Sequence, residues 1–399
     1  MQMNFSRKTV AALSAFALTF TLTPGVGAQV GTAQCEGQAA THFATGPTGI
    51  LRGTTGDDVF VLDFPTAPLG GVTQVVGGTG NDLICVNGGT GVRVLAGDGN
   101  DIIRLVNSTD AALFGSGGND RIVNGNGAGV RAYGGTGNDA ILGGLGADQA
   151  IFGQAGDDRL RVGAGQDQLA VGGLGDDTLF GDASQNSILR GQSGDDVFDL
   201  GNGQGIEAQG GPGDDVFTVG ESGRFIRASG NQGNDELRSS SVFRILLSGN
   251  AGDDLLVGGP GPDEMFGGLG DDILRGESGN DIIHGGFDDD VLDGGFGSDT
   301  IFGDAGDDII TGNIGNDRIE GGFGDDQVSG GFGDDQIFGQ PGVDVLDGGA
   351  GTDIIDGGLG DDSITADDAD SRVNGSLGVD VCASLGGQPV QILGCEQIS

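Results

Sequence analysis

The stretch from residue 249 to residue 362 decides the fold, because it repeats every nine residues without a break. The unit GGLGDDILR at residues 267–275 is followed directly by GESGNDIIH at residues 276–284. In every unit the first residue is Gly and the eighth is apolar, and the fourth is Gly except at Asp288. The sixth residue is Asp in all thirteen units, namely Asp254, Asp263, Asp272, Asp281, Asp290, Asp299, Asp308, Asp317, Asp326, Asp335, Asp344, Asp353 and Asp362.

Each fixed position of the repeat has a physical reason. Consecutive glycines permit a tight turn with positive φ angles, which other residues resist. Residues seven to nine form a short extended run in which only the middle residue must be apolar, as in a strand with one buried face. A nine-residue unit cannot bury one aliphatic side chain alone, whereas stacked copies can. The pattern therefore predicts a stack of short parallel strands spaced about 4.8 Å apart.

Stacking would align the position-six carboxylates in columns at the same spacing. Such carboxylates repel one another when unpaired, and calcium, which accepts several oxygen ligands in flexible geometry, fits between them. The repeat resembles the hemolysin-type calcium-binding repeat, the RTX nonapeptide. That resemblance implies an all-β fold, a parallel β-roll or β-solenoid in which two nonapeptides make one turn. It also implies multiple Ca²⁺ ions between loops of adjacent turns, held by position-six carboxylates and loop carbonyls.

A Gly/Asp-rich disordered linker is the alternative interpretation of the same composition. A linker requires neither the fixed phase of the aspartates nor an aliphatic residue at position eight. The phased pattern therefore favours the β-roll.

Upstream of residue 254 the period changes from nine residues to 19. One Asp recurs every 19 residues, except for one interval of 20 residues, and each follows a Gly-rich turn. We interpret this as one full turn per 19 residues, with a degenerate second half-turn. Calcium is then expected mainly along one edge of the first half and along both edges of the second half. The aspartates of this part predicted to bind metal are Asp82, Asp101, Asp120, Asp139, Asp158, Asp177, Asp196, Asp215 and Asp235 on one edge, with Asp148 and Asp167 on the other.

In the other degenerate half-turns, we expect Arg to stand where the nine-residue repeat has Asp. Arg93, Arg131 and Arg227 lie in short apolar runs of these half-turns. Two interpretations stay open for them. Either the guanidinium groups replace calcium in neutralising the missing column, or they are solvated surface groups.

The composition limits the possible classes of protein. The 399 residues include 59 acidic and 17 basic residues, giving a net charge of −42, with 88 Gly and no Trp. Such a chain cannot build a thick globular core, and its acidity argues against nucleic acid or an anionic membrane as a partner. Self-repulsion and low hydrophobicity would expand the chain on its own. We therefore expect metal binding to be coupled to folding.

Residues 1–28 have the features of a secretory signal peptide. Arg7 and Lys8 supply the basic start, residues 10–22 form an apolar run too short to span a membrane, and residues 26–28 fit a small-residue cleavage site. An uncleaved anchor is the alternative. Cleavage would remove two positive charges and no acidic residue, which changes the net charge from −42 to −44. It would leave a secreted, extracellular chain with no membrane span.

Four cysteines lie near the two ends of the repeat array and none lies within its centre. An even number of cysteines in a secreted chain suggests disulfides. Three connectivities are possible, and proximity in the sequence favours Cys35 with Cys85 and Cys382 with Cys395. Such bonds would close the ends of a solenoid, which expose unpaired strand edges.

These features divide the chain into five predicted parts. They are a signal peptide at 1–28, an N-terminal cap with a first degenerate repeat around Asp58 at 29–81, a 19-residue-period β-roll at 82–253, a regular nonapeptide β-roll at 254–362 and a C-terminal cap at 363–399.

The sequence contains no motif that predicts an enzyme. The chain has two histidines, His42 and His284, and it lacks the G-x-S-x-G, H-E-x-x-H and phosphate-loop patterns. We therefore expect a non-enzymatic, calcium-binding structural protein. Two alternatives stay open: an extracellular adhesion or interaction module with a cell-surface or self-association partner, and a calcium-dependent polysaccharide lyase.

Position three of the repeat carries large apolar residues in the second half. Two interpretations are possible: the side chains pack over neighbouring turns and shield the ions, or they form an exposed contact surface. The phenylalanines concerned are Phe287, Phe296, Phe323 and Phe332.

Overall fold

The computed structural model describes residues 34–44, 49–64, 74–181, 184–367, 372–384 and 392–398. The expected signal peptide and residues 65–73 lie outside these residues. All regular secondary structure in the described part is β-strand. Accordingly, none of the described residues belongs to a helix capable of crossing a membrane.

The strands form two parallel sheets, which we call sheet one and sheet two, and the chain alternates between them. Each strand pairs with the strand that follows one turn later in the same sheet. Leu113 pairs with Ala132 in the first half and Ile283 pairs with Ile301 in the second, so one turn takes 19 and then 18 residues. The expected β-solenoid is therefore confirmed.

Sheet one contains the strands that follow the Asp column running through the whole chain. Its strands are His42–Ala44, Val59–Phe64, Leu83–Gly88, Ile102–Val106, Arg121–Val123, Ala140–Leu142, Arg159–Arg161, Thr178–Phe180, Val197–Gly201, Val216–Val219, Glu236–Ser239, Leu255–Val257, Ile273–Arg275, Val291–Phe296, Ile309–Ile314, Gln327–Phe332, Val345–Ala350, Ser363–Ala366, Asp380–Ser384 and Cys395–Ile398.

Sheet two lies opposite, and a separate antiparallel hairpin of Gln34–Cys35 and Gln38–Ala39 precedes both sheets. The strands of sheet two are Ile50–Arg52, Gln74–Thr79, Arg93–Asp98, Ala112–Gly117, Arg131–Thr136, Ala150–Ala155, Leu169–Leu174, Ile188–Ser193, Glu207–Pro212, Arg227–Gln232, Leu246–Ala251, Glu264–Leu269, Ile282–Phe287, Thr300–Ala305, Arg318–Phe323, Gln336–Pro341, Ile354–Leu359, Arg372–Leu377 and Ile392–Leu393.

The core is a narrow stack of the position-eight side chains from both sheets. Leu256, Met265 and Leu274 are fully buried, and the series continues to Ile364. Their strand neighbours at positions seven and nine are mostly exposed or half-buried. The period-two burial that the sequence predicts is therefore the packing rule of the whole solenoid.

The 19-residue turn arises from one extra residue in the loop that precedes each strand of sheet two. This residue has a left-handed backbone, with φ of 52° at Asp110, 55° at Asp148, 54° at Asp167 and 52° at Asn186. Asn and Asp tolerate this conformation better than most residues. Because the extra residue turns outward, the next residue faces the interior, and this shift decides which side chains line the second edge.

The two predicted disulfides are present. Cys35 bonds to Cys85 and Cys382 bonds to Cys395, each with Cα atoms 5.9 Å apart. Cys35 packs with Val61 and Leu83 in a small cluster of its own, so the first bond holds the N-terminal hairpin against sheet one. The second bond joins two neighbouring parallel strands at the C-terminal end.

Candidate metal centre

The position-six aspartates form two continuous columns, one along each edge of the solenoid. In each column, the backbone N–H of one Asp donates a hydrogen bond to Oδ1 of the Asp in the following turn, at 2.7–3.1 Å. The first column precedes sheet one and contains Asp58, Asp82, Asp101, Asp120, Asp139, Asp158, Asp177, Asp196, Asp215, Asp235, Asp254, Asp272, Asp290, Asp308, Asp326, Asp344, Asp362 and Asp380.

The second column precedes sheet two and is confined to the second half of the chain. It begins where Asp263 accepts hydrogen bonds from the N–H of Ile245 at 3.1 Å and of Gly259 at 2.8 Å. Its members are Asp263, Asp281, Asp299, Asp317, Asp335 and Asp353. Position-six aspartates are thus aligned along one edge from Asp58 to Asp380 and along a second edge in the regular half; that both edges bind calcium stays a prediction.

The second carboxylate oxygen, Oδ2, defines the candidate metal sites. From Asp82 to Asp380 in the first column and from Asp281 to Asp353 in the second, Oδ2 is buried and has no hydrogen-bond partner among the described residues. These side chains are 0–2% exposed. A buried carboxylate oxygen without a partner is costly. A row of such oxygens along each column calls for a cation.

The position-one glycines make room for these oxygens. A Cβ on Gly312 would lie 2.5 Å from Oδ2 of Asp317 and 2.6 Å from the carbonyl oxygen of Gly330 in the next turn. Both distances are shorter than real Cβ contacts, so only Gly fits there. At this turn the orphaned carboxylate oxygen therefore lies close to a backbone carbonyl of the adjacent turn, which supplies a second type of oxygen ligand.

Burial and neighbouring carboxylates make ionisation of the columns unfavourable in the absence of a cation. Burial, the largest cause, raises the pKa of Asp120 and Asp215 to about 8 and the pKa of Asp308 to about 6, from 3.8. The adjacent carboxylates raise the pKa further. A column of this kind must hold either protons or cations.

The ligand chemistry favours calcium over a transition metal. Among the described residues, no three His, Cys, Asp or Glu side chains converge on one point. Zinc prefers a closed tetrahedral set of such side chains. Calcium takes six to eight oxygens and accepts backbone carbonyls among them. The stacked carboxylates and glycine carbonyls fit that set, whereas they do not fit zinc.

A second ladder, which the sequence analysis missed, runs outside the first column at position five. Here the N–H of Asn100 donates to Oδ1 of Asn81 at 2.8 Å, and the N–H of Asp307 donates to Oδ1 of Asp289 at 2.8 Å. The donor thus lies in the later turn, which is the reverse of the position-six columns. The recurrent Asn-Asp and Asp-Asp pairs in the sequence were the available signal for this ladder.

Asp148 and Asp167 do not join the second column, and the expected alignment of these two residues is wrong. Both are exposed and occupy the extra, left-handed position of the ten-residue loop. The following residue, Gln149 or Gln168, is buried at the inward position. Nε2 of Gln149 donates to the carbonyl oxygens of Gly125 at 2.9 Å and Gly127 at 2.8 Å.

The same loops show that the arginines do not occupy the place of the missing Asp. Arg93 and Arg131 are exposed on the outer face of sheet two, while the inward positions before them carry the buried Val92 and Val130. Along this edge the column is replaced by apolar and amide side chains, so no charge needs neutralising there. Arg227 follows the same rule, with Ile226 buried before it.

The two histidines lie outside the Oδ2 sites. His284 is stacked between Phe266 and Phe302 on the outer face of sheet two, and its Nδ1 lies 3.0 Å from Oδ2 of Asp304. His42 stacks on Phe60 at the N-terminal end. Nδ1 of His42 also lies 2.9 Å from Oγ1 of Thr41 and 3.7 Å from Oδ1 of Asp58.

Comparison with known proteins agrees with this geometry. The family model described as RTX calcium-binding nonapeptide repeat (4 copies) matches residues 133–169, residues 171–206 and, in overlapping copies, residues 248–382. No curated protein matches the chain. The matched segments cover just over half of the sequence and include the whole second Asp column and most of the first, so the chain belongs to the RTX calcium-binding nonapeptide repeat family.

Proposed function

We propose that this chain is a secreted protein whose Asp columns bind Ca²⁺ between successive turns, and that this binding folds it into a rigid rod. The observation that carries the proposal is the row of 22 buried Oδ2 atoms without a hydrogen-bond partner. Each of these Oδ2 atoms has another Oδ2 atom of the same column one turn away. A divalent cation with several oxygen ligands would satisfy two turns at once.

Folding and binding are coupled in this proposal through charge. The chain without residues 1–28 has a net charge of −44, and its columns are too buried to be screened by solvent. Seventeen orphaned oxygens in the first column leave sixteen intervals, and five in the second leave four. Twenty divalent ions in these intervals would offset nearly all of the charge. The 17 steps of the first column would then form a rod of roughly 80 Å.

Secretion is part of the proposal and is supported by two features. The N-terminal 28 residues have the signal-peptide pattern, and all four cysteines of the described chain are in disulfides. Disulfides persist mainly in oxidising compartments outside the cytosol. Extracellular calcium modules commonly bind in the range of about 10⁻⁴ to 10⁻³ M, so we expect folding at such concentrations.

The test is a calcium titration of residues 29–399 followed by circular dichroism, with bound metal measured after saturation. We expect a cooperative gain of β-structure and about twenty ions per chain. Magnesium at the same concentration is the matched control, because it demands stricter octahedral geometry. A saturated protein that holds only one or two ions would refute the proposal.

An interaction role is the second candidate, because the four position-three phenylalanines are 61–67% exposed. They do not pack over neighbouring turns in the way that shielding of the ions would require. Sedimentation of the calcium-saturated protein tests whether these side chains mediate association.

A further inference from the structure

The outer face of sheet two in the first half carries positive charge in an otherwise strongly acidic protein. Arg93, Arg131, Arg190 and Arg227 are exposed there, and none forms an ion pair with a described residue. Between Gln74 and Ser229 the outward strand positions of this face carry two acidic residues, Asp98 and Glu207, in the register given by the strand pairing. Guanidinium groups left unpaired among so many carboxylates indicate a site for an external anion.

Of the two loop edges beside this face, the one that follows its strands is also depleted of negative charge, whereas the one before them carries the exposed Asp110 and Asp148. The position-five ladder carries Asn at 81, 100, 119 and 138, whereas it carries Asp at 157, 176, 195 and 214 in the following turns. Asn makes the same backbone hydrogen bond as Asp in this ladder, so folding does not require the difference. The neutral stretch coincides with the turns that contain Arg93 and Arg131. Asp98 is the one carboxylate that borders them at position three.

A groove of about 340 Å³ lies between the strands and the loops in these turns. One wall is the ladder of Phe114, Tyr133 and Phe152, whose ring centroids are 4.8 and 4.9 Å apart. The other wall contains Ser116 and Gln154, as well as Thr136. The groove therefore combines aromatic edges with hydroxyl and amide groups, beside a row of guanidinium groups.

Ser116 and Gln154 occupy positions that the backbone makes unfavourable for them. Their φ angles are 92° and 87°, and the equivalent residue between them, Gly135, has φ of 126°. A side chain in this region costs free energy that a glycine avoids, and the equivalent position also carries Gln192, Asn231 and Asn250 further along the solenoid. The polar side chains in the groove recur every second turn, which is also the spacing of Arg93 and Arg131.

We propose that this groove and its arginines bind an acidic polysaccharide, with carboxylates on alternate sugars. Arg93 and Arg131 are two turns apart, a separation of roughly 10 Å. Guanidinium groups pair with carboxylates through two parallel hydrogen bonds. The amide and hydroxyl groups of Gln154, Ser116 and Thr136 match sugar hydroxyls, and the aromatic edges match the apolar parts of sugar rings.

The stacking of the rings favours a sugar over a nucleic acid. Bases bind proteins by stacking on open aromatic faces. In this ladder the faces of Tyr133 are covered by Phe114 and Phe152, with interplanar angles of 5° and 7°, and Arg93 lies over Phe114 at 5.1 Å. The edges of the rings are thus the parts that remain accessible to a ligand in the groove.

The experiment uses calcium-saturated residues 29–399 and a labelled hexasaccharide of alternating glucuronate and N-acetylglucosamine, measured by fluorescence anisotropy. The neutral N-acetylglucosamine hexamer and single-stranded oligothymidylate serve as competing ligands. We expect the acidic hexasaccharide to bind, and the double variant Arg93→Ser/Arg131→Ser to bind at least about tenfold more weakly, because charge-assisted contacts are lost. Arg238→Ser/Arg275→Ser, which removes the same charge from sheet one, is the matched control and should bind normally.

A second variant separates binding from folding. Gln154→Gly relieves the positive-φ strain, so calcium-induced folding should be unchanged while affinity for the hexasaccharide falls. Absence of binding to the wild-type protein, or equal loss in the two double variants, would overturn the proposal. Equally tight binding of oligothymidylate or of the neutral hexamer would overturn the assignment to an acidic sugar. The calcium titration by circular dichroism reports failure of the proposed calcium-binding function separately.

Discussion

Replacement of Asp308 by Asn should have opposite effects on stability with and without calcium. In the wild-type protein, Oδ1 of Asp308 accepts the N–H of Asp290 at 2.9 Å, while Oδ2 is buried without a partner. Asn preserves the size and the Oδ1 acceptor but removes the charge. The variant therefore tests the charge alone, without a cavity or a lost backbone hydrogen bond.

The expected magnitudes follow from the environment of the carboxylate. Burial, the first cause, raises the pKa of Asp308 to about 6 from 3.8, so an ionised Asp308 destabilises the calcium-free fold by on the order of 3 kcal/mol at pH 8. The neutral amide of the Asp308→Asn variant would remove that cost. In calcium, the position lies between two intervals of the column, so the variant should hold one or two ions fewer. The holo form should then unfold at a lower urea concentration than the wild type.

The assay is urea unfolding at pH 8 in chelator and in saturating calcium. Asp308→Ala is a second comparison, because it also leaves the buried N–H of Asp290 without an acceptor, which costs about 1–3 kcal/mol. Gln327→Ala changes an exposed outward side chain and should leave both stabilities unchanged. Equal urea midpoints for Asp308→Asn and Gln327→Ala in saturating calcium would refute the assignment of Asp308 as a ligand.

Four further outcomes are expected. Burial raises the pKa of Asp120 to about 8, of Asp158 to about 7 and of Asp308 to about 6 from 3.8, so these aspartates do not destabilise the calcium-free fold below pH 4 and destabilise it increasingly as the pH rises from 4 to 8; circular dichroism in chelator should show β-structure appearing on acidification from pH 8 to pH 4, and no change would contradict the raised pKa values. Calcium affinity should fall over the same interval, since binding displaces protons. The double variant Gln149→Asp/Gln168→Asp should bind one additional calcium ion, and an unchanged metal content would show that inward carboxylates are insufficient. The last variant replaces the four exposed position-three phenylalanines by Ser, namely Phe287, Phe296, Phe323 and Phe332. It should preserve calcium-induced folding and reduce any self-association seen by sedimentation, whereas lost folding would show that these side chains pack.

The regular half of the chain could be predicted from the sequence because each position has one physical role. The nine-residue phase specifies a buried Asp at position six and a buried aliphatic side chain at position eight, and Asp272 and Leu274 occupy these places. The pairing of the cysteines was also accessible, since sequence proximity and the need to close each end agreed. No long-range competition between alternative folds had to be resolved.

The degenerate half-turns could not be aligned with the nine-residue pattern. Matching them to that template placed Asp148 at position six, whereas the loop holds ten residues and turns Asp148 outward. The 19-residue spacing indicated this longer loop, because a half-turn of nine residues and a half-turn of ten residues sum to 19 residues. The next residue, Gln149, fills the space between two glycine carbonyls with an amide group.

The exposure of the position-three phenylalanines was undecided in the sequence for a different reason. Their place in the turn was clear, but a turn residue can fold back over its neighbours or project into solvent. In the structure Phe287 aligns with Leu269 and Ala305 in adjacent turns. These neighbours are too short to cover it, so the ring remains 61% exposed.

The direction of the position-six hydrogen bonds gives the solenoid a polarity for growth. The N–H of Asp101 needs the carboxylate of Asp120, which is 19 residues later, and the same holds for every link of the column. The position-six bond of each turn is thus completed by the turn that follows it, whereas its position-five bond is completed by the turn that precedes it. A chain that folds with its N-terminus first would always leave the position-six bond of its newest turn open. At the end of the column Asp380 supplies the acceptor for Asp362, and the Cys382–Cys395 disulfide holds this last link in place.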